Sequence, residues 1–175
     1  MEFQINKSRL VLLEGDITKE TTDAIVNAAN GLLSPGGGVC GAIHSAAGGR
    51  LWEECKLLGR CKTGEAKITK GYNLKAKYVI HTVGPIYSSS PEDIINLTNS
   101  YRNSLETAQK NNLKSISFPS ISTGIFGYPV LEAAEIAIKT IVDFLTENSE
   151  IELVQIVLFD ENTYKIYKEA ALKYC

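Results

Sequence analysis

"DAIVNAANGLLSPGGGVCGAIHSAAG", Asp23 to Gly48, is the stretch on which the fold turns. It opens on an unbroken apolar run, Ala24 to Val26, of the kind a strand covered on both faces requires. It closes on a segment in which Val39, Ile43, Ala46 and Ala47 share one face at helical spacing. Between the two lie a turn-rich segment and three consecutive glycines, Gly36, Gly37 and Gly38. A strand feeding a helix through such a loop predicts an α/β unit, and in α/β sheets ligands bind beyond the carboxyl ends of strands.

The same alternation continues in both directions. Strands are expected at Leu10 to Leu13, Tyr78 to Val83, Ser115 to Phe118 and Leu153 to Phe159, with a weaker one at Ala66 to Thr69. Helical faces are formed by Leu97, Tyr101, Leu105 and Ala108, by Leu131, Ala134, Ile138, Ile141 and Leu145, and by Tyr164, Tyr167 and Ala171. "LWEECKLL" reads as a further helix. "YSSSPED", Tyr87 to Asp93, reads as a surface loop ending in a helix start, with Ser90 as cap and Pro91 in the first turn. The expected architecture is a three-layer α/β/α sandwich around a mixed, mostly parallel sheet, built as one domain over residues 1–175.

Composition narrows the function classes. The 175 residues are 44% apolar and 22% charged, ordinary for a globular domain. The net charge of -2 lacks the positive bias of a non-specific nucleic-acid binder. No stretch approaches the roughly 18 uninterrupted apolar residues of a membrane span. Four cysteines without a CxxC pair, and an opening "MEFQINKSRL" without an apolar core, point to the cytoplasm.

The glycine loop ahead of a helix start lets backbone amides approach a ligand closely and adds a partial positive charge, a combination that favours phosphate. A plain flexible loop is the alternative. Gly36, Gly38 and Gly41 satisfy GxGxxG, but five residues, Gly31 to Pro35, part them from Asn30. The acids at the right distance, Glu53 and Glu54, lie in a helix, so a dinucleotide fingerprint is disfavoured. No Gly-Lys-Ser/Thr follows, which excludes a Walker A loop. A second loop, "SISTGIFGYP" from Ser120 to Pro129, leaves another strand and offers amides beside Phe126; on its own it reads equally as a connector.

Six ordered motifs give the chain a close resemblance to the macrodomain family, in its bacterial MacroD-like branch. They are "GDIT" (Gly15 to Thr18), "DAIVNAAN" (Asp23 to Asn30), "GGGV" (Gly36 to Val39), "GAIHSAAG" (Gly41 to Gly48), "YVIHTVGP" (Tyr78 to Pro85) and "SISTGIFGYP". The resemblance covers nearly the whole chain. It implies binding of ADP-ribose, with removal of mono-ADP-ribose from acidic side chains of proteins or deacetylation of O-acetyl-ADP-ribose as the activity. It further implies that Asp16 and the Ile17 amide meet the adenine, that Phe159 packs on the ring, and that Asn30 holds the distal ribose. Gly37, Gly38 and Val39 would line ribose and diphosphate from one side, and Ser122, Thr123, Gly124, Ile125 and Phe126 would clasp the diphosphate from the other. No metal or cofactor is needed. The residues alone leave simpler roles open: Asp16 as a turn cap, Phe159 as core, and Asn30–Gly31 as a turn pair.

One position departs from the pattern. Hydrolytic relatives usually read "GGGVDG" where this sequence has "GGGVCG", so Cys40 replaces the carboxylate assigned to activating or orienting water. A neutral thiol is a poor acceptor beside aspartate. Three outcomes follow: hydrolysis at a reduced rate with Asn30 and the diphosphate loops still placing a water, ADP-ribose binding without turnover, or Cys40 acting as a thiolate or redox-sensitive group activated by the helix start. His44, one turn after Cys40, makes a two-ligand spacing that does not amount to a zinc site. His44 and His81 are expected to be packed and hydrogen-bonded to backbone.

Overall fold

The computed structural model describes all 175 residues. The elements are β1 (Glu2–Ile5), β2 (Ser8–Glu14), a 3-10 turn (Ile17–Lys19), β3 (Ala24–Ala28), α1 (Gly38–Ala47), α2 (Gly49–Leu58), β4 (Ala66–Lys70), β5 (Tyr78–Thr82), α3 (Pro91–Lys110), β6 (Ser115–Phe118), α4 (Val130–Glu147), β7 (Leu153–Leu158) and α5 (Glu161–Tyr174). One seven-stranded sheet runs in the order β1-β2-β7-β6-β3-β5-β4. Its five central strands are parallel, and the edge strands β1 and β4 pair antiparallel with β2 and β5.

Successive residues of the central strands feed opposite cores, as the pleat requires. Ile25 and Val79 face α1 and α2, meeting Ile43, Ala47, Leu51 and Cys55. Val26, Ile80, Ile116, Phe118, Val154 and Ile156 face α3, α4 and α5, meeting Leu97, Tyr101, Leu105, Ile138, Ile141 and Tyr167. The expected three-layer sandwich is the observed one. Each large buried side chain contributes about 1.5–3 kcal/mol of transfer free energy, and the face with three helices carries most of them.

Three details differ from the pattern reading. The hairpin strand β1 was not expected; it is four residues long, pairs only at the edge, and turns into β2 through Asn6 at φ 54°. Ala46 and Leu131 are exposed rather than part of their helical stripes. The buried side of the short α1 is formed by Cys40, Ile43, His44 and Ala47, and Leu131 lies in the first turn of α4. The cap of α3 is as read: Ser90 accepts from the Glu92 amide while Asp93 reaches back to the Ser90 amide, with Pro91 in the first turn. No helix is long and apolar enough to cross a membrane.

The path of the chain opens a crevice. β3 and β6 are neighbours, but β3 leads into α1 on one face while β6 leads into α4 on the other. Loops leaving adjacent strands in opposite directions part at such a switch point.

Candidate functional site

That crevice holds a cavity of about 690 Å³, within the range of small-molecule sites. Its walls come from the carboxyl ends of all five parallel strands: Gly15 to Ile17 after β2, Ala28 to Asn30 and Gly36 to Cys40 after β3, Gly84 after β5, Pro119 to Phe126 after β6, and Phe159 and Asp160 after β7. Every site residue expected from sequence lines this one space. No lysine or arginine does.

Hydrogen-bond donors come instead from the backbone. The Gly41 amide makes the first bond of α1, to the Gly37 carbonyl at 3.1 Å. The amides of Gly38, Val39 and Cys40 therefore sit in the unpaired first turn, and Gly38 holds φ 56°, which suits glycine. Across the cavity, the amides of Ser122, Thr123, Gly124, Ile125 and Phe126 form no hydrogen bond within the chain. Two rows of free N–H groups flanking one cavity suit an anion held by dipoles.

The second row is tied in place from beneath. Tyr101, fully buried, accepts from the Ile121 amide at 3.1 Å and lies 3.5 Å from the Tyr167 hydroxyl. Tyr167 meets Ser120 Oγ at 2.8 Å, and Thr123 Oγ1 donates to the same oxygen at 2.8 Å. Burial first, with the facing phenol, pushes Tyr101 well above the usual tyrosine range, so it stays a neutral donor and acceptor. Sequence spacing identified Tyr101 and Tyr167 as core and missed this hydroxyl chain; a tyrosine at a fully buried helix position, where its hydroxyl needs a partner, was the available signal. Tyr101→Phe leaves the Ile121 N–H unpaired and is expected to cost about 1–2 kcal/mol by chemical denaturation. Ser122 adds strain of its own, with φ 67° and a buried hydroxyl lacking any partner against Gly84.

At the far end of the cavity Asp16 caps the 3-10 turn: its Oδ1 accepts from the Thr18 amide at 2.9 Å and from Thr18 Oγ1 at 2.7 Å. Those bonds, the hydroxyl first, hold its carboxyl below the usual range. The cap uses one oxygen. Asp16 Oδ2 and the Ile17 amide remain free side by side, an acceptor next to a donor. Phe159 is 87% exposed at the mouth, so the core reading is excluded.

Asn30 does make the turn that its sequence suggested. Its Oδ1 accepts from the Leu32 and Ser34 amides, both at 3.1 Å, and Nδ2 donates to the Ser34 carbonyl at 2.9 Å. One N–H of the amide is left over for a bound group.

Cys40 sits at the cavity floor, 5% exposed. Its thiol donates to the Ser34 carbonyl at 3.5 Å and accepts from Asn27 Nδ2 at 3.7 Å. Burial pushes the thiol up, outweighing the opposing bonds from Asn27 and Gly36. A thiol raised by burial does not favour the thiolate reading of Cys40.

The histidines are packed, but neither is bonded to backbone as expected. His44 is buried with both ring nitrogens unpartnered, and burial lowers its pKa. His81 is wholly buried and bonds side chains, with Asn27 Nδ2 3.1 Å from Nδ1 and Thr69 Oγ1 2.9 Å from Nε2. Burial, aided by the nearby His44, lowers its pKa to about 3. Unfolded His81 takes up a proton near pH 6.5 while the folded ring resists until about 3, so stability falls as pH drops through that window. Urea unfolding between pH 6.5 and 5, above the aspartate range, is expected to lose about 1–2 kcal/mol, with a flatter slope in His81→Gln. No three His, Cys, Asp or Glu side chains converge in a metal-holding arrangement.

Comparison with known proteins accords with this geometry. Residues 26–137 match the family model described as "Macro domain". An O-acetyl-ADP-ribose deacetylase of Salmonella newport is 50% identical over 165 residues, spanning 91% of this chain and 92% of its own. The Oceanobacillus iheyensis macrodomain with ADP superposes with a TM-score of 0.95 at 51% identity, over 99% of this chain and 95% of that one. The Trypanosoma brucei macrodomain in complex with ADP-ribose gives a TM-score of 0.87 at 43% identity, over 91% and 68% of the two chains. Matched by the family model over residues 26–137 and by relatives over most of its length, the chain belongs to the Macro domain family.

Proposed function

We propose that this chain binds ADP-ribose in the strand-end cavity and hydrolyses mono-ADP-ribosyl esters on acidic side chains of proteins, or O-acetyl-ADP-ribose. The observation that carries the proposal is the pair of unbonded amide rows, Gly38 to Cys40 and Ser122 to Phe126, facing one cavity with no cationic side chain. A diphosphate between them receives several N–H donors at once. Asp16 Oδ2 and the Ile17 amide then match the donor and acceptor edge of adenine, with Phe159 against the ring. The relatives named for ADP-ribose and for O-acetyl-ADP-ribose deacetylation support the same assignment.

In the hydrolysis, the spare N–H of Asn30 and the amide rows orient the distal ribose while water attacks the ester, so the chain contributes mainly positioning. Cys40 occupies the floor below as a weak acceptor. A cytoplasmic setting suits four free cysteines, three of them buried. The second reading, a domain that binds ADP-ribose without turning it over, is favoured by one feature: the Cys40 proton is directed to the Ser34 carbonyl, and burial keeps it there.

Titration calorimetry with ADP-ribose, paired with single turnover of a mono-ADP-ribosylated acidic peptide, separates the two. Saturable heat with product release is the expected result. Binding without product at high enzyme concentration leaves the reader, and absence of heat removes both.

A further inference from the structure

Behind Cys40, on the side away from the cavity, a line of buried side chains runs across three strands: Asn27 on β3, His81 on β5 and Thr69 on β4. Their relative exposures are 0%, 0% and 2%. None of them lines the cavity.

The line is anchored at each end on a backbone carbonyl, a group that can only accept. Thr69 Oγ1 donates to the Lys70 carbonyl at 3.1 Å, and Cys40 Sγ donates to the Ser34 carbonyl at 3.5 Å. Hydroxyl and thiol each have one proton, so both must accept on their inner side. Thr69 then accepts from His81 Nε2–H, and Cys40 accepts from Asn27. With Nε2 protonated, neutral His81 has a bare Nδ1, which takes the second Asn27 N–H at 3.1 Å. Every bond in the line now has a direction, and the directions agree. Reversing the Asn27 amide would strand two buried N–H groups, against the single acceptor Oδ1 left unpaired as it stands.

We propose that His81, as the Nε2–H tautomer, is a positioning residue for residue 40: through Asn27 it fixes an N–H donor at the floor of the site, so that the side chain there is held as an acceptor. This rests on the hydrolytic reading above for its catalytic consequence, though not for the tautomer. The outer anchors make the arrangement indifferent to the ligand, and a low-dielectric setting keeps the donor from swinging to water. Cys55 Sγ, 3.8 Å from Nε2, is a weak secondary acceptor in the same arrangement.

The chain has two histidines, which makes the test direct. Long-range proton–nitrogen correlation on the labelled protein at pH 7, with His81→Gln to assign the signals, should give His81 a protonated Nε2 and a bare Nδ1. A protonated Nδ1, or an imidazolium, overturns the proposal whatever the protein catalyses. For the consequence, Gln keeps an acceptor and a donor at about the spacing of the two ring nitrogens, whereas Phe keeps neither. His81→Phe should lower the single-turnover rate about tenfold with the ADP-ribose Kd unchanged, and His81→Gln should restore it. A parent-like rate in His81→Phe overturns the positioning role. Absence of turnover in the parent removes the hydrolytic reading and leaves the tautomer measurement to decide.

Discussion

Cys40→Asp should raise the single-turnover rate of ADP-ribosyl ester hydrolysis well over tenfold, about 1.4 kcal/mol of barrier per decade. The floor of the cavity is arranged for an acceptor: Asn27 Nδ2 points at residue 40, and the first turn of α1 begins two residues before it. A carboxylate there is stabilised as the anion by the N–H donor and the helix start, and it accepts from water in a way that a protonated thiol does not. ADP-ribose affinity should change little, because the amide rows are untouched. An unchanged rate in a variant that still binds would show that residue 40 takes no part in the chemistry.

Gly41→Ala should destabilise the chain by about 2–3 kcal/mol and weaken ADP-ribose binding about tenfold or more. A Cβ at this position runs into the carbonyl oxygen of Gly36. Both partners are backbone, so relief requires α1 to move off the glycine loop and takes one amide row with it. Gly49→Ala is the matched control: a Cβ there meets nothing within 4 Å, and a stability change between zero and a gain of about 1 kcal/mol is expected. Thermal or urea denaturation of both variants, with calorimetry on each, measures the contrast. Equal stability of the two would show that the loop is not wedged against the helix.

The architecture was legible in the chain because its strands are continuously apolar and its helices carry clean stripes. Ala24 to Val26 and Leu153 to Leu158 could be placed within a residue or two for that reason. The edge strand β1 was not, since a short strand pairing on one side has little pattern to show. The cavity residues were located by loops and glycines at strand ends, which is where a parallel sheet exposes its free N–H groups. What spacing alone did not yield was the support beneath them. Asn27 and His81 each interrupt an apolar strand, a mark that a buried polar group needs a partner, but the partner comes from a neighbouring strand whose register only the fold defines. Likewise, spacing placed Tyr101 and Tyr167 in the core, and their hydroxyls reach the Ser120 loop only once α3 and α5 have packed.

The absence of lysine and arginine from the cavity has a further consequence. A pyrophosphate cradled by peptide dipoles releases few counterions from the protein, so affinity should be nearly independent of ionic strength. A cleft without a positive field also gives long polyanions little reason to linger at its mouth, leaving discrimination to shape and short-range contacts.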